Sequence, residues 1–282
     1  IYRKSVSPSW EKDATVARQV RKSQEEMRQI GFIPDLDLVD VAISTLHDAG
    51  GDTAFFRRFN LAGRYGFFLM DVAGHDVVSS YISAMSIGIL SSVWDVTQDP
   101  IELLHSINLE LLKLKIDQYH ICVTAILWDV RRSSLKIATA GNPGGLHVSR
   151  NSRGTVDIRE LEGGGMCLGL FKRDDLSVVQ GIELREGDYL FFFSDGISVD
   201  ILREIVFRES NIIEGFEIKG LAKKILDDIK NRVGQTDDMV LLVLKAPTPL
   251  PADGFHYEIK SSYEEIDRAC DWVSDRIREH DL

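Results

Sequence analysis

The pattern of apolar and polar residues changes its period several times along the chain. Short apolar or alternating runs bounded by turn residues predict β-strands, and longer stretches with apolar residues at helical spacing predict two pairs of helices. Asp99 and Pro100 suit the N-cap and the first position of one of these helices. Because the strands come in runs without regular strand–helix–strand alternation, the order predicts an α+β sandwich rather than a doubly wound sheet. The predicted strands are 38–43, 55–59, 65–72, 121–130, 134–140, 144–149, 155–161, 177–184, 188–194 and 239–245, and the predicted helices are 77–94, 100–116, 200–209 and 217–232.

The N-terminal region, residues 1–33, is predicted to be a helical linker. Within residues 10–30 the apolar residues Val16, Val20, Met27 and Ile30 form a thin stripe among many charges. So polar a helix needs a partner for its stripe, either the following domain or a second copy in a short coiled coil. We expect a homodimer through this helix.

The main domain is predicted to span residues 34–247. A proline-rich segment, 247–251, ends it as a short stiff linker. Beyond it, 255–259 has the pattern of a strand and 262–279 that of an amphipathic helix. A strand and a helix cannot form a core alone, so we expect residues 248–282 to be an appendage, either docked or the opening of a further domain.

Charge and composition restrict the classes of function. The net charge of −11 argues against nucleic acid as a partner, because phosphate backbones require basic surfaces. No apolar run is long enough to cross a bilayer and no signal peptide opens the chain, so we expect a cytoplasmic protein without membrane insertion.

The three cysteines, Cys122, Cys167 and Cys270, have no metal-ligand or redox spacing, and Cys122 is predicted to be a buried inert thiol. The chain begins with Ile, which predicts a piece of a longer protein.

Acidic residues recur at the ends of the predicted strands. Asp71 follows Phe67–Met70, Asp195 follows the apolar run that ends at Phe193, and Asp237 and Asp238 precede the last strand. A carboxylate beside a buried strand is costly unless a positive charge compensates it, and hard divalent cations do so through oxygen ligands. The pattern therefore predicts a Mg²⁺ or Mn²⁺ cluster. Any single Asp-Gly pair could instead be a tight turn.

The order of these segments resembles the PPM-type metal-dependent protein phosphatases, in their bacterial SpoIIE/RsbU-like branch. The resemblance covers roughly residues 31–247. The four acidic motifs are Gly50-Gly51-Asp52, Asp71-Val72-Ala73-Gly74-His75, Ser194-Asp195-Gly196 and Thr236-Asp237-Asp238-Met239, and the accompanying segments are Ala138–Pro143 and Cys167–Leu170.

The resemblance implies an αββα sandwich of two antiparallel sheets flanked by helices. It also implies two or more Mn²⁺ or Mg²⁺ ions and a role for each motif residue. Asp71 would bridge the metals with the Val72 carbonyl as a further ligand, Asp195 and Asp237 would each bind one ion, and Asp52 would act through the second metal. Asp238 is expected to be a hydrogen-bonding neighbour. The role of His75, general acid or structural partner, stays open.

The implied reaction is hydrolysis of phosphoserine or phosphothreonine in a protein. The branch acts on anti-anti-sigma proteins of the STAS fold in partner-switching pathways and is tied to an upstream sensor domain. The C-terminal appendage weakly resembles the start of a histidine-kinase-like ATPase domain. Three departures from the family pattern leave a catalytically silent binding or dimerisation module as the alternative: Asp76 in place of Gly, no acidic residue after Asp52 in the segment 53–56, and Val199 in place of Glu.

Overall fold

The computed structural model describes nine segments of the chain. The predicted N-terminal helix 10–30, the predicted strand 255–259 and the predicted helix 262–279 lie outside them. The described residues all belong to the first of two units, Ile1–Thr248. They are 38–46, 51–59, 63–74, 77–94, 96–114, 119–151, 153–172, 178–210 and 218–247.

The predicted alternation of strand runs and helix pairs is confirmed element by element. The strands are β1 Val39–Ser44, β2 Thr53–Arg58, β3 Arg64–Val72, β4 Ile121–Asp129, β5 Ser134–Ala140, β6 Gly145–Arg150, β7 Val156–Leu161, β8 Val178–Glu183, β9 Tyr189–Phe193 and β10 Met239–Lys245. The helices are α1 Val77–Val93, α2 Pro100–Leu114, α3 Val199–Ser210 and α4 Leu221–Val233.

The strands form two five-stranded antiparallel sheets. One has the order β1-β10-β9-β6-β7 and the other the order β2-β3-β4-β5-β8. Helices α1 and α2 pack on the second sheet, and α3 and α4 pack on the first. The arrangement is the predicted αββα sandwich.

The central layer of the sandwich explains the apolar runs of the sequence. Strand β9 is buried at every position, and β10 is buried from Met239 to Leu244, because each is covered by a helix layer on one face and by the other sheet on its opposite face. A strand covered on both faces has no polar side, so it appears in sequence as a continuous apolar run. The side chains between the sheets include Phe67, Trp128, Ile137, Phe192 and Leu242.

The two predictions about helix starts have different outcomes. The Asp99 N-cap is confirmed, since its Oδ1 accepts a hydrogen bond from the backbone N–H of Ile101 at 2.9 Å. The helix predicted over 217–232 begins four residues later, at Leu221. Gly220 has φ +84°, a left-handed conformation that does not continue into an α-helix.

The helices of the described residues are short or polar relative to what a bilayer requires. None of them is long and apolar enough to cross a membrane.

Candidate active site

Antiparallel pairing brings two of the predicted site residues together within one sheet. Thr53 at the start of β2 lies opposite Met70 near the end of β3. Asp52, which precedes Thr53, is therefore next to Asp71, which follows Met70. The backbone at Gly51 also lies very close to that of Val72, because a Cβ added to Gly51 would lie 2.4 Å from the carbonyl oxygen of Val72. Only glycine allows the chain before β2 to approach β3 so closely.

In the sheet that contains β9 and β10, antiparallel pairing likewise brings acidic residues to one end of the strands. Phe193 at the end of β9 lies opposite Leu241 in β10, so Asp195 and Asp238 share one end of that pair. A Cβ added to Gly196 would lie 2.1 Å from the carbonyl oxygen of Asp238. The turn after β9 is therefore held against the start of β10.

Three carboxylates from the two sheets are in contact at these strand ends. Asp71 hydrogen-bonds to both Asp52 and Asp195, and the charge of each raises its pKa. Asp52 is only 2% exposed, Asp71 is half-buried and Asp195 is exposed. The cluster therefore runs from the interior of the sandwich to its surface, with Asp71 in the middle.

Burial and mutual repulsion change the acidity of the two inner carboxyl groups. Burial is the largest cause for Asp71, and the charges of Asp52 and Asp195 add to it, raising the pKa of Asp71 to about 10. Burial also raises the pKa of Asp52 to about 7, although a hydrogen bond from Ser194 opposes the shift. In the absence of a cation, Asp71 holds its proton at neutral pH and donates it to Asp52.

Asp238 has the hydrogen-bonding role expected for it. It is 3% exposed, and its two carboxylate oxygens accept hydrogen bonds from the backbone N–H groups of Leu46 at 2.7 Å and Gly51 at 2.9 Å. It thereby ties the segment before Asp52 to the start of β10. Its charge also contributes to the raised pKa of Asp52.

Asp237 lies apart from the three-carboxylate contact. Its side chain is exposed, and its Oδ1 accepts the backbone N–H of Asp238 at 2.8 Å. Together with Asp195 it lines an open depression of about 350 Å³. The structure therefore places Asp237 beside Asp195 on the surface side of the site.

The last residue of β3 and the loop after it contain the remaining predicted residues. The Val72 carbonyl faces Gly51, as the close approach of these residues shows. Gly74 has φ +98°, and a Cβ there would make only ordinary contacts, at 3.8 Å from Tyr119 and 4.0 Å from Ser79, so its left-handed backbone accounts for glycine there. His75 and Asp76 lie outside the described residues.

Two features of the site were not predicted from the sequence. Ser194 is fully buried and hydrogen-bonds to Asp52, and its Oγ also accepts the backbone N–H of Val240 at 3.0 Å. Its position directly after a buried strand and before Asp195 was the available signal. The second feature is a contact between Cys122 and Cys167, whose sulfurs are 3.0 Å apart. Both cysteines are partly exposed, so the predicted full burial of Cys122 is wrong.

The donor set fits hard divalent cations. Three carboxylates in contact, two of them withdrawn from water, form a concentration of negative charge that a divalent cation would neutralise. Within the described residues, no three such side chains already surround a single point as the ligands of one ion would. Asp71 instead lies between Asp52 and Asp195, the position that a ligand shared between two ions would occupy.

Comparison with known structures identifies the fold. The SiaA-PP2C domain of Pseudomonas aeruginosa matches with a TM-score of 0.65 and 17% identity, over 84% of this chain and 98% of that one. The RsbU and RsbW domains of Rv1364c from Mycobacterium tuberculosis match with a TM-score of 0.62 and 18% identity, over 86% of this chain and 70% of that one. RsbX, solved in complex with magnesium, matches with a TM-score of 0.54 and 12% identity, over 74% of this chain and 94% of that one. A search of curated protein sequences finds no significant match.

These similarities show that the chain has the PP2C phosphatase fold. The family model described as Stage II sporulation protein E (SpoIIE) matches residues 62–247, which is more than half of the chain. The chain therefore belongs to the SpoIIE family.

Proposed function

We propose that this chain is a Mn²⁺- or Mg²⁺-dependent phosphatase that hydrolyses phosphoserine or phosphothreonine in a partner protein. The observation that carries the proposal is the contact of Asp71 with both Asp52 and Asp195. These residues come from strand ends of both sheets, and the packing of Gly51 against Val72 and of Gly196 against Asp238 holds them there. Such a preorganised group of oxygen donors is what a metal-dependent hydrolase requires.

Each residue has a role in this proposal. Asp71, the Val72 carbonyl, Asp52 and Asp195 would hold the divalent ions, and Asp237 would contribute from the same depression as Asp195. Divalent ions bound there activate a water molecule and neutralise the charge of a phosphoryl group. Ser194 and Asp238 position the cluster: Ser194 hydrogen-bonds to Asp52, and Asp238 holds the backbone of Gly51. The RsbX structure with magnesium supports a hard divalent cation in this fold.

The surface around the cluster suits a phosphate on a large substrate. The depression beside Asp195 is open to solvent, so a side chain presented by another protein can reach it. The sequence contains no Gly-x-Ser-x-Gly motif that would supply a serine nucleophile. Cys-x5-Arg spacing occurs at Cys167 to Arg173 and at Cys270 to Arg276, and of these four residues only Cys167 belongs to the described part of the chain. The proposal therefore rests on the carboxylate cluster, because divalent ions held there would activate a water molecule without a protein nucleophile.

The substrate we propose is a phosphorylated STAS-domain anti-anti-sigma protein. Membership of the SpoIIE family and the similarity to RsbU and RsbW domains support this partner. We also propose a cytoplasmic partner-switching pathway and an upstream sensor domain. Homodimerisation through residues 10–30 is proposed from the thin apolar stripe of that segment. For the domain organisation we retain 1–33 as linker, 34–247 as phosphatase domain and 248–282 as appendage.

A phosphate-release assay on a phosphoserine protein, with and without Mn²⁺, tests the proposal. Asp71→Asn should reduce Mn²⁺-dependent turnover by about a hundredfold or more, because it removes the central carboxylate. Asp200→Asn is the matched control, since Asp200 is exposed on α3 and pairs only with Arg203 among the described residues. A wild-type protein that binds Mn²⁺ at millimolar concentration without turnover would favour the catalytically silent module instead.

A further inference from the structure

The contact between Cys122 and Cys167 has the geometry of a cross-strand disulfide before oxidation. Cys122 lies in β4, and Cys167 lies in the segment that follows β7. Ile121 and Leu168 form an antiparallel bridge in which each backbone N–H donates to the other's carbonyl, at 3.2 and 2.8 Å. The neighbouring pair in such a ladder, Cys122 and Cys167, is a non-hydrogen-bonded pair, whose Cα atoms are about 4.5 Å apart.

That separation lies within the range of roughly 4.4 to 6.8 Å found in disulfides. The two side chains also point the same way, since their sulfurs are 3.0 Å apart. A Cβ added to Gly141 would lie 2.6 Å from one sulfur and 2.7 Å from the other, so glycine at this position leaves the space that both sulfurs occupy. Both cysteines are partly exposed, so a small oxidant can reach them.

The pair lies beside the carboxylate cluster. Cys122 is directly opposite Asp71 across β3 and β4, and side chains opposite each other project on the same face of a sheet. Burial is the main cause of the raised pKa of Cys122, and the charges of Asp71 and Asp195 contribute, so Cys122 and Asp71 are close enough to interact. Oxidation of these two sulfurs would therefore occur beside the Asp71 carboxylate.

We propose that Cys122 and Cys167 form a reversible disulfide that weakens metal binding at the neighbouring carboxylates. Hydrogen peroxide is the oxidant in this proposal. One thiol reacts with peroxide to give a sulfenic acid and water, and the other thiol then attacks that sulfur, forming the S–S bond and releasing a second water. Overall two thiols lose two electrons and two protons, and one peroxide becomes two waters.

The effect on the metal site follows from the change in the distance between the two sulfurs. Bond formation shortens the sulfur separation from 3.0 Å to about 2.05 Å, so the Cys122 and Cys167 side chains must move and are then fixed beside Asp71. Ligands of a functional site need to stay within about 0.5 Å of their productive positions. A shift transmitted from Cys122 to Asp71 therefore lowers affinity for Mn²⁺. Formation of the disulfide does not depend on the proposed function, and only its effect on turnover rests on it.

Mass spectrometry tests the cross-link in the Cys270→Ser background, which removes the third thiol. Metal-free protein is treated with hydrogen peroxide, quenched with catalase, alkylated and digested with trypsin without reduction. The tryptic peptide 116–131 contains Cys122, and 160–172 contains Cys167. We expect these two peptides to be joined with the loss of two hydrogens and to separate on reduction. Oxidation of Met166 adds one oxygen and is distinguishable by mass. Failure to join them under conditions that oxidise Met166 would overturn the proposal.

Manganese affinity tests the consequence without relying on catalysis. Free Mn²⁺ measured by electron paramagnetic resonance should show about tenfold weaker binding after oxidation, with recovery on reduction by a phosphine. Cys122→Ser and Cys167→Ser should each be insensitive to peroxide. Cross-linked protein with unchanged Mn²⁺ affinity would refute the coupling to the metal site. If affinity changes but neither form hydrolyses a phosphoprotein, the redox inference stands and the phosphatase proposal falls.

Discussion

Asp71 donates a hydrogen bond to Asp52, a residue from the neighbouring strand that is itself almost completely buried. The bond lowers the pKa of Asp52 and raises that of Asp71, so the pair holds a proton on Asp71. Asp195 also hydrogen-bonds to Asp71, and its charge adds to the raised pKa of Asp71. Because carboxylates bind metal only when ionised, a cation that binds this cluster would displace the proton on Asp71.

The stability of the metal-free protein should fall as pH rises from 5 to 8. Asp52 and Asp71 have raised pKa values in the folded protein, so above their ordinary pKa of 3.8 the folded state binds more protons than the unfolded state. Its free energy of unfolding then decreases with pH, until Asp52 has titrated near pH 7 and Asp71 near pH 10. We expect the free energy of unfolding, measured by urea unfolding, to decrease steadily between pH 5 and pH 8.

Asp71→Asn provides the control for this pH dependence. The amide cannot titrate, so the contribution of Asp71 to the pH dependence is lost and the slope should become smaller. An unfolding free energy that is level or rises between pH 5 and pH 8 in metal-free wild type would contradict the assigned pKa shifts.

Binding of Mn²⁺ at neutral pH should release protons. Carboxylates bind metal only when ionised, and Asp71 holds a proton at pH 7 in the metal-free protein. We expect about one proton or more per protein molecule, measured by calorimetric titration in two buffers of different ionisation enthalpy. Asp200→Asn should release the same number as wild type. Proton release close to zero in wild type would place the metal at other ligands.

The sequence predicted the strands and the acidic residues at their ends because both are local features. A buried strand produces a continuous apolar run, as β9 does, and a carboxylate directly after it is unusual enough to stand out. Antiparallel pairing then accounts for the meeting of Asp52 with Asp71. Ser194 was missed because a serine after a strand is ordinary in sequence, and its importance lies in its contact with Asp52.

The cysteine contact could not be predicted because it depends on long-range register. Cys122 and Cys167 are 45 positions apart, and their contact follows from the bridge between Ile121 and Leu168. Nothing local in the segment around Leu168 marks it as a partner for the start of β4. A shift of register by one residue would turn the two side chains to opposite faces.

Gly196→Ala should destabilise the protein and weaken Mn²⁺ binding. The new Cβ would lie 2.1 Å from the Asp238 carbonyl oxygen, so the turn that carries Asp195 must move. Steric overpacking of this kind costs about 1 to 3 kcal/mol, which urea unfolding measures directly.

Gly88→Ala is the matched glycine control. Gly88 lies in α1 with open space around the position of a Cβ, so alanine there should leave Mn²⁺ affinity unchanged and add up to about 1 kcal/mol of stability. Equal Mn²⁺ affinity in the two alanine variants would show that the packing of Gly196 does not position the site.

The predicted N-terminal helix should control the oligomeric state. Val20 and Met27 belong to its thin apolar stripe, and replacing both with Asp places charges at the expected pairing surface. We expect a monomer by light scattering and an altered Mn²⁺ titration. A mass and a titration both identical to wild type would remove the helix from the account and leave the phosphatase assignment in place.

Anomalous diffraction from crystals grown with Mn²⁺ tests the central claim most directly. The account predicts at least two manganese peaks joined by the Asp71 carboxylate, with Asp52 and Asp195 on opposite sides and no peaks in crystals of Asp71→Asn. Manganese bound without contact to Asp71, or no manganese at these three carboxylates at saturating concentration, would contradict it.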